Sequence, residues 1–128
     1  MTGIGVDIEE VGRFRKLPYK DNQSFYKQIF TPNEIRYCLS KADFYQHIAA
    51  RFAAKEAVIK ALGDSSVYRV KGIEIINDKK GKPQVKFSIF NFQFSKNRSK
   101  LQTTNCKLQI LVSMSHVKDY AVAMALVL

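Results

Sequence analysis

The sequence predicts an α+β domain, an antiparallel sheet with helices packed on one face. Three observations carry this reading. Residues 3–8 alternate with a period of two, a helical pattern holds from about Ser24 to Leu62, and alternation returns after Gly63. The length of 128 residues suits a single domain over 1–128.

The first strand is short. Ile4, Val6 and Ile8 alternate with Gly3, Gly5 and Asp7, so Asp7 points away from the apolar face. Within the helical region, Thr31-Pro32-Asn33-Glu34 has the chemistry of a helix start. Thr31 is suited to the N-cap, proline to the first helical position, and Glu34 to closing a capping box. A break near Ala42-Asp43 precedes a second helix from Phe44 to Leu62, with Gly63 in the C-cap role. Beyond Gly63, strands are expected over Gly72 to Ile76, Gln84 to Phe94, Lys107 to Met114 and Tyr120 to Val127. Asn77 to Pro83 reads as a turn and Ser115 to Asp119 as a hairpin connection. Val85, Phe87 and Ile89 alternate in one phase and Phe90, Phe92 and Phe94 in the other, which predicts a bulge or bend. The expected order is one strand, then helices, then an antiparallel meander.

Composition excludes several classes. Hydrophobic residues make up 46% and charged residues 25%, a globular balance that argues against disorder. The apolar run Tyr120 to Leu128 is about half the length of a membrane-spanning helix. The start MTGIGVDIEE has early acids and no basic segment, unlike a signal peptide, so the cytoplasm is the expected location. Cys38 and Cys106 are far apart, with no Cys or His beside them at metal-ligand spacing, which argues against a disulfide framework or a zinc site. The 21 Lys and Arg against 11 Asp and Glu give a net charge of +10, which should attract a polyanion. Nine of these bases, and no acid, fall within 79–118.

Chemistry concentrates in Arg51-Phe52-Ala53-Ala54-Lys55-Glu56-Ala57-Val58-Ile59-Lys60. On a helix Ile48, Phe52 and Ile59 share a stripe, and Glu56 falls in line with these core-facing side chains. A carboxylate there needs a base, a metal or donors; an i, i+4 pair with Lys60, or a place at the stripe's edge, would serve equally. Asp7 is the only polar side chain among the glycines and β-branched residues of its strand. It is either an exposed edge carboxylate or the partner of Glu56. A strand Asp and a helix Glu that meet where the two elements pack can share one hard cation, completed by waters and substrate phosphates. Arg51, Lys55 and Lys60 would then complement a polyphosphate. Phosphoryl-type transfer and metal-dependent nucleic-acid cleavage both fit.

Several motifs resemble one family. Gly5-Val6-Asp7 with Arg13, Phe30-Thr31-Pro32-Asn33-Glu34, Arg51 to Ala57 with Lys60 and Ala61-Leu62-Gly63, Gly81-Lys82-Pro83, and Ser113-Met114-Ser115-His116 with Asp119 to Ala123 look like the holo-acyl-carrier-protein synthase family. This is the short class of 4′-phosphopantetheinyl transferases, and the motifs run in its order from first strand to last. Phe-Ala-x-Lys-Glu-Ala-x-x-Lys is the specific piece; Gly-x-Asp alone is weak. The resemblance implies a 4′-phosphopantetheinyl transferase-like fold. It also implies a reaction in which coenzyme A donates its 4′-phosphopantetheine arm to a serine of an apo acyl carrier protein, leaving adenosine 3′,5′-bisphosphate.

Carried over by residue, the resemblance makes Asp7 and Glu56 ligands of Mg²⁺, with Mn²⁺ suiting the same oxygens. That ion would bridge to the pyrophosphate of coenzyme A. Lys55 and Lys60 would contact phosphates, Arg51 would face the nucleotide end, and Gly63 would begin the loop nearest it. Catalysis would rest on Glu56, Asp7 and Lys60, with Glu56 as acceptor of the carrier serine's proton, directly or through a metal-bound water. His116 is either structural, as a lone hairpin histidine often is, or a partner of the nucleotide; His47 has no special claim. Arg13, Arg15, Lys16 and Lys20 are either a solvated helix face or the docking surface for an acidic carrier protein.

Two departures stand out. Family members usually follow Ala-Leu-Gly with more glycine, where this chain has Asp64-Ser65-Ser66-Val67-Tyr68, and residues 90–107 are unusually aromatic and basic. The resemblance further implies a homotrimer with active sites at subunit interfaces. A metal-dependent nucleic-acid enzyme is the first alternative, although it would want further carboxylates, and a non-catalytic basic binding module is the second. Nucleic acid and membrane are the disfavoured partners.

Overall fold

A computed structural model of the chain describes residues 3–63, 70–87 and 109–128. Strand β1 (Gly3–Glu10) leads into a short helix α1 (Val11–Arg15). A 3₁₀ turn (Tyr19–Asp21) and helices α2 (Gln23–Ile29), α3 (Pro32–Leu39) and α4 (Phe44–Leu62) follow. A second 3₁₀ turn (Val70–Gly72) opens the β region: β2 (Ile73–Asn77), β3 (Pro83–Phe87), β4 (Ile110–His116) and β5 (Tyr120–Val127).

The local punctuation acts as its chemistry dictates. Glu34 N donates to Thr31 Oγ1 at 3.3 Å and Thr31 N to Glu34 Oε1 at 2.9 Å, a closed capping box on α3. Asp43 caps α4 by accepting from the Tyr45 and Gln46 amides. Gly63 ends α4 at φ +79°, a left-handed position that disfavours a side chain. Helix α1 escapes a periodicity reading because its five residues are too few for one; it is held by burial of Val11 and Phe14.

The β region differs from one meander. Among the described residues there are two antiparallel sheets, a three-stranded sheet of order β1-β5-β4 and the β2-β3 hairpin. The first strand pairs with the last, Asp7 opposite Ala123, which puts the N-terminal strand at the sheet edge next to β5. Strand β4 runs on to His116, which therefore ends a strand instead of lying in the connection. The expected bend at Ile89-Phe90, the Asp64–Tyr68 segment and the aromatic, basic stretch 90–107 lie outside the described residues.

The packing face of β1 is the reverse of what a period of two ordinarily implies. Ile4, Val6 and Ile8 are 58%, 58% and 65% exposed, while Gly3, Gly5 and Asp7 face α4. The reason is backbone proximity. A Cβ on Gly3 would lie 1.8 Å from the Ala61 carbonyl oxygen, and one on Gly5 2.0 Å from that of Ala57. Helix α4 meets the sheet through Ala53, Ala57 and Ala61, and β5 answers with Ala123 and Ala125. Small residues on both sides let helix and sheet approach closely, which presses Asp7 against α4. The opposite sheet face leaves Ile4, Val6, Ile8, Val122 and Met124 uncovered.

Candidate functional site

The sequence-predicted residues fall into two groups, on different parts of the chain. The first gathers around Asp7. The Lys60 ammonium donates to Asp7 Oδ1 and to the Val6 carbonyl, both at 3.0 Å. Asp7 Oδ2 is buried and has no hydrogen-bond partner. Glu56, one turn before Lys60, feels the Asp7 charge. Its carboxyl is pushed above the usual range by burial first and by Asp7 second, while Lys60 and Arg13 pull the other way.

Glu56 sits at the edge of its stripe. Ile48 and Ile59 are buried, but Phe52 and Glu56 are half-buried and Lys60 is exposed. The 52–56–60 line is the open side of a helix that is buried almost all round by its alanines. A carboxylate on that line can reach both Asp7 and solvent.

Glu9 joins this group, and the sequence reading passed it over. It lies two residues after Asp7 on the same face of β1, so the period of two could have found it. Burial raises its carboxyl to about 7, helped by the neighbouring Asp7 carboxylate and opposed by Arg13. Arg13 Nη1 lies 3.2 Å from Glu9 Oε2. The local balance is thus short of positive charge: three acids, with two bases at the margin.

These residues fit a hard divalent cation. No group of three or more His, Cys, Asp or Glu side chains converges as a ready-made metal cage among the described residues. What is present is a buried carboxylate oxygen without a donor, a second carboxylate raised by the first, and an open side. Two carboxylates with room for waters and phosphate oxygens match the way Mg²⁺ is usually held.

The second group lines a cavity of about 460 Å³. Arg51, from the middle of α4, is only 2% exposed yet borders it. Its guanidinium lies 3.8 Å over the Tyr37 ring and donates from Nη2 to Asn77 Oδ1, while Nε is buried without a partner. The 78–82 turn delivers Lys82: Asp78 Oδ1 accepts from the Lys80 and Lys82 amides, and Gly81 takes φ +85°. From the end of β4 comes His116, whose Nδ1 lies 2.8 Å from Gln46 Oε1. Cationic and imidazole groups beside an aromatic ring suit an anionic, ring-bearing ligand. Of these, sequence reasoning named Arg51 and His116 and quoted Gly81-Lys82-Pro83; it missed Tyr37, His47 and Asn77, which only the fold brings together.

Lys55, expected at the phosphates, belongs to neither group in this structure. It is fully buried, ion-paired with the equally buried Glu34 and bonded to the Ile29 carbonyl. Helical rotation turns it toward α3 and β2, away from Glu56 and Lys60. Gly63 caps α4, and the loop it opens lies outside the described residues. The four bases proposed for docking are all exposed. Arg13 pairs with Glu9 and Arg15 with Asp43; Lys16 and Lys20 extend the same basic surface.

The 4′-phosphopantetheinyl transferase superfamily matches residues 3–125. A holo-[acyl-carrier-protein] synthase of Thermodesulfovibrio yellowstonii is 40% identical over 127 residues, covering 99% of this chain and 98% of that protein. A crystal structure of a holo-(acyl-carrier-protein) synthase from Bacillus anthracis in complex with CoA (3′,5′-ADP) has a TM-score of 0.75 at 30% identity, with 98% and 95% of the two chains covered. The corresponding synthase from Neisseria meningitidis gives 0.78 at 29% identity, covering 100% of this chain and 98% of its own.

Proposed function

The chain belongs to the 4′-phosphopantetheinyl transferase superfamily as a holo-[acyl-carrier-protein] synthase, and from that membership we propose how its two residue groups divide the work. The substrates are coenzyme A and an apo acyl carrier protein, and the reaction is Mg²⁺-dependent. The carrier serine's oxygen forms a bond to the phosphorus that carries the pantetheine arm. The pyrophosphate bond breaks, and adenosine 3′,5′-bisphosphate leaves. This family assignment displaces the nucleic-acid enzyme and the non-catalytic module as readings of the charge.

The observation that carries the metal assignment is the buried, unpartnered Asp7 Oδ2, with Glu56 near enough that burial first and the Asp7 charge second push its carboxyl up. Asp7 and Glu56 would hold the ion. When bound, Mg²⁺ neutralises charge on the leaving phosphate and polarises the phosphorus. Lys60, bonded to Asp7 Oδ1, adds a mobile positive charge at the rim. Glu56 takes the serine proton, directly or through water, a role that its raised carboxyl suits. Arg51, Lys82 and His116 hold the nucleotide end. The exposed Arg13, Arg15, Lys16 and Lys20 steer the acidic carrier toward Asp7, with Arg13 nearest through its pairing with Glu9.

Neither Asp7, Glu56 nor Lys60 lines the Arg51 cavity. The uncovered sheet face of Ile4, Val6, Ile8, Val122 and Met124 is a large apolar surface for a solvated strand pair. Both features support a homotrimer in which the metal group of one subunit meets the nucleotide cavity of the next. No helix among the described residues is long and apolar enough to cross a membrane.

The test is incubation with coenzyme A, Mg²⁺ and an apo carrier, read by intact mass. Wild type should add one phosphopantetheine, and Asp7→Asn should not. Modification at full rate after chelation would sink the metal assignment. Light scattering that gave a monomer at working concentration would sink the shared site.

A further inference from the structure

The Arg51 cavity contains an imidazole that the reaction has not used. His47 borders it, with its ring held edge-to-face between Tyr37 (centroids 6.0 Å apart) and His116 (4.9 Å). Two imidazoles in contact at the wall of a cationic cavity are an unusual expenditure of polar surface. The groups around His47 come from every neighbouring element. Arg51 stands one turn on along α4, His116 ends β4, Lys41 and Asp43 lie in the α3–α4 connection, and Tyr37 comes from α3. Lys82 enters the same cavity from the turn before β3. Apart from Asp43, already bound to Arg15, these groups are cationic or neutral.

We propose that His47 faces the phosphate monoester captured by this cavity and takes up a proton as that anion binds. The inference rests on the reading of the cavity as the nucleotide subsite. In the free protein, burial holds the His47 imidazole below its usual range, and His116, Arg51 and Lys41 lower it further against the weak pull of Asp43. His47 is therefore neutral at neutral pH. A phosphomonoester dianion entering beside Arg51, whose Nε has no partner, reverses the sign of the local field. A nearby opposite charge favours the protonated ring, so the proton comes from solvent and ends on His47. Binding becomes tighter as pH falls toward 6, and the phosphate-free nucleoside gains none of this.

The chain contains only two histidines, His47 and His116, so both imidazoles can be followed by NMR in the full-length protein. Their titrations are recorded alone and saturated with adenosine 3′,5′-bisphosphate, with His47→Phe to assign the signals. The His47 midpoint should rise by about one pH unit or more on saturation, and adenosine should leave it unchanged. Calorimetry in buffers of different ionisation enthalpy should show proton uptake near pH 7 that falls in His47→Phe while nucleotide still binds. If the His116 signal moves and the His47 midpoint does not, the proposal is overturned and the subsite reading stands. If neither histidine responds to saturating nucleotide, the subsite reading falls and the proposal falls with it.

Discussion

Lys60 Nζ lies 3.0 Å from Asp7 Oδ1, while the other oxygen of the same carboxylate is buried without a donor. The ammonium balances one oxygen of the carboxylate proposed to bind the metal. It is a long, half-exposed side chain on the open side of α4, and in the proposed mechanism it would swing toward a phosphate once a cation takes over the carboxylate. An exposed ion pair of this kind contributes little to stability, about 0–1 kcal/mol. Its placement therefore points to charge control at the site more than to holding the fold.

Glu56→Gln should separate function from stability. Burial and Asp7 both oppose ionisation of Glu56, so the neutral amide removes a repulsive charge from the metal-free protein. Thermal melting should rise by a few degrees, as when a strained site is relaxed. Transfer to the carrier should fall by about 10²–10⁴-fold, the usual weight of a positioned acid–base group. A variant that kept its rate would remove Glu56 from the chemistry.

Glu9 predicts a pH dependence in the metal-free enzyme. Its carboxyl is at about 7 in the folded chain against 4.5 for the ordinary group. Between those values the folded state binds more protons than the unfolded state. Stability therefore falls as pH rises from about 4.5 to about 7. Urea denaturation midpoints measured across that window should decline for wild type and flatten in Glu9→Gln. Equal slopes would mean that Glu9 titrates as a free carboxyl.

What the sequence reveals here is what local chemistry decides. The Thr31–Glu34 capping box, the Asp43 break and the Gly63 stop depend on residues within one turn, and each is where its spacing places it. The exposed face of β1 was illegible because it depends on how near a remote helix backbone comes to Gly3 and Gly5. Lys55 and Lys60 flank Glu56 and read alike in sequence; the fates of the two ammonium groups diverge because α3 and β2 cover only one. Arg51, Tyr37, Asn77 and His116 come from four separate elements, so only the closed fold makes them a cavity.

Two glycines give opposite expectations. In Gly5→Ala the new methyl carbon would meet the Ala57 carbonyl oxygen at 2.0 Å, with backbone on both sides and no flexible side chain to yield. The cost should exceed the usual ~1–3 kcal/mol of overpacking. Gly12, inside α1, has open space around it, and Gly12→Ala should stabilise by up to about 1 kcal/mol. Chemical denaturation of the two variants should move in opposite directions; a tolerated Gly5→Ala would contradict the close approach of β1 and α4.

Lys55 decides between two uses of a motif lysine. Its ammonium lies 4.9 Å from the Phe30 ring centroid and is fully enclosed with Glu34, whose other oxygen accepts from the Ile75 amide at 3.1 Å. One carboxylate thereby closes the α3 cap and ties α3 to α4 and β2. Burial alone would drive the Lys55 ammonium to lose its proton, and the Glu34 charge opposes that. Lys55→Met should leave Glu34 buried and uncompensated, at a cost of about 3–5 kcal/mol. The double variant with Glu34→Gln should recover much of that loss, because the stranded charge is gone. In the double variant KM for coenzyme A should stay within a few-fold of wild type if Lys55 serves the packing of α4 and not the phosphates. A large rise in KM with stability restored would return Lys55 to the substrate site.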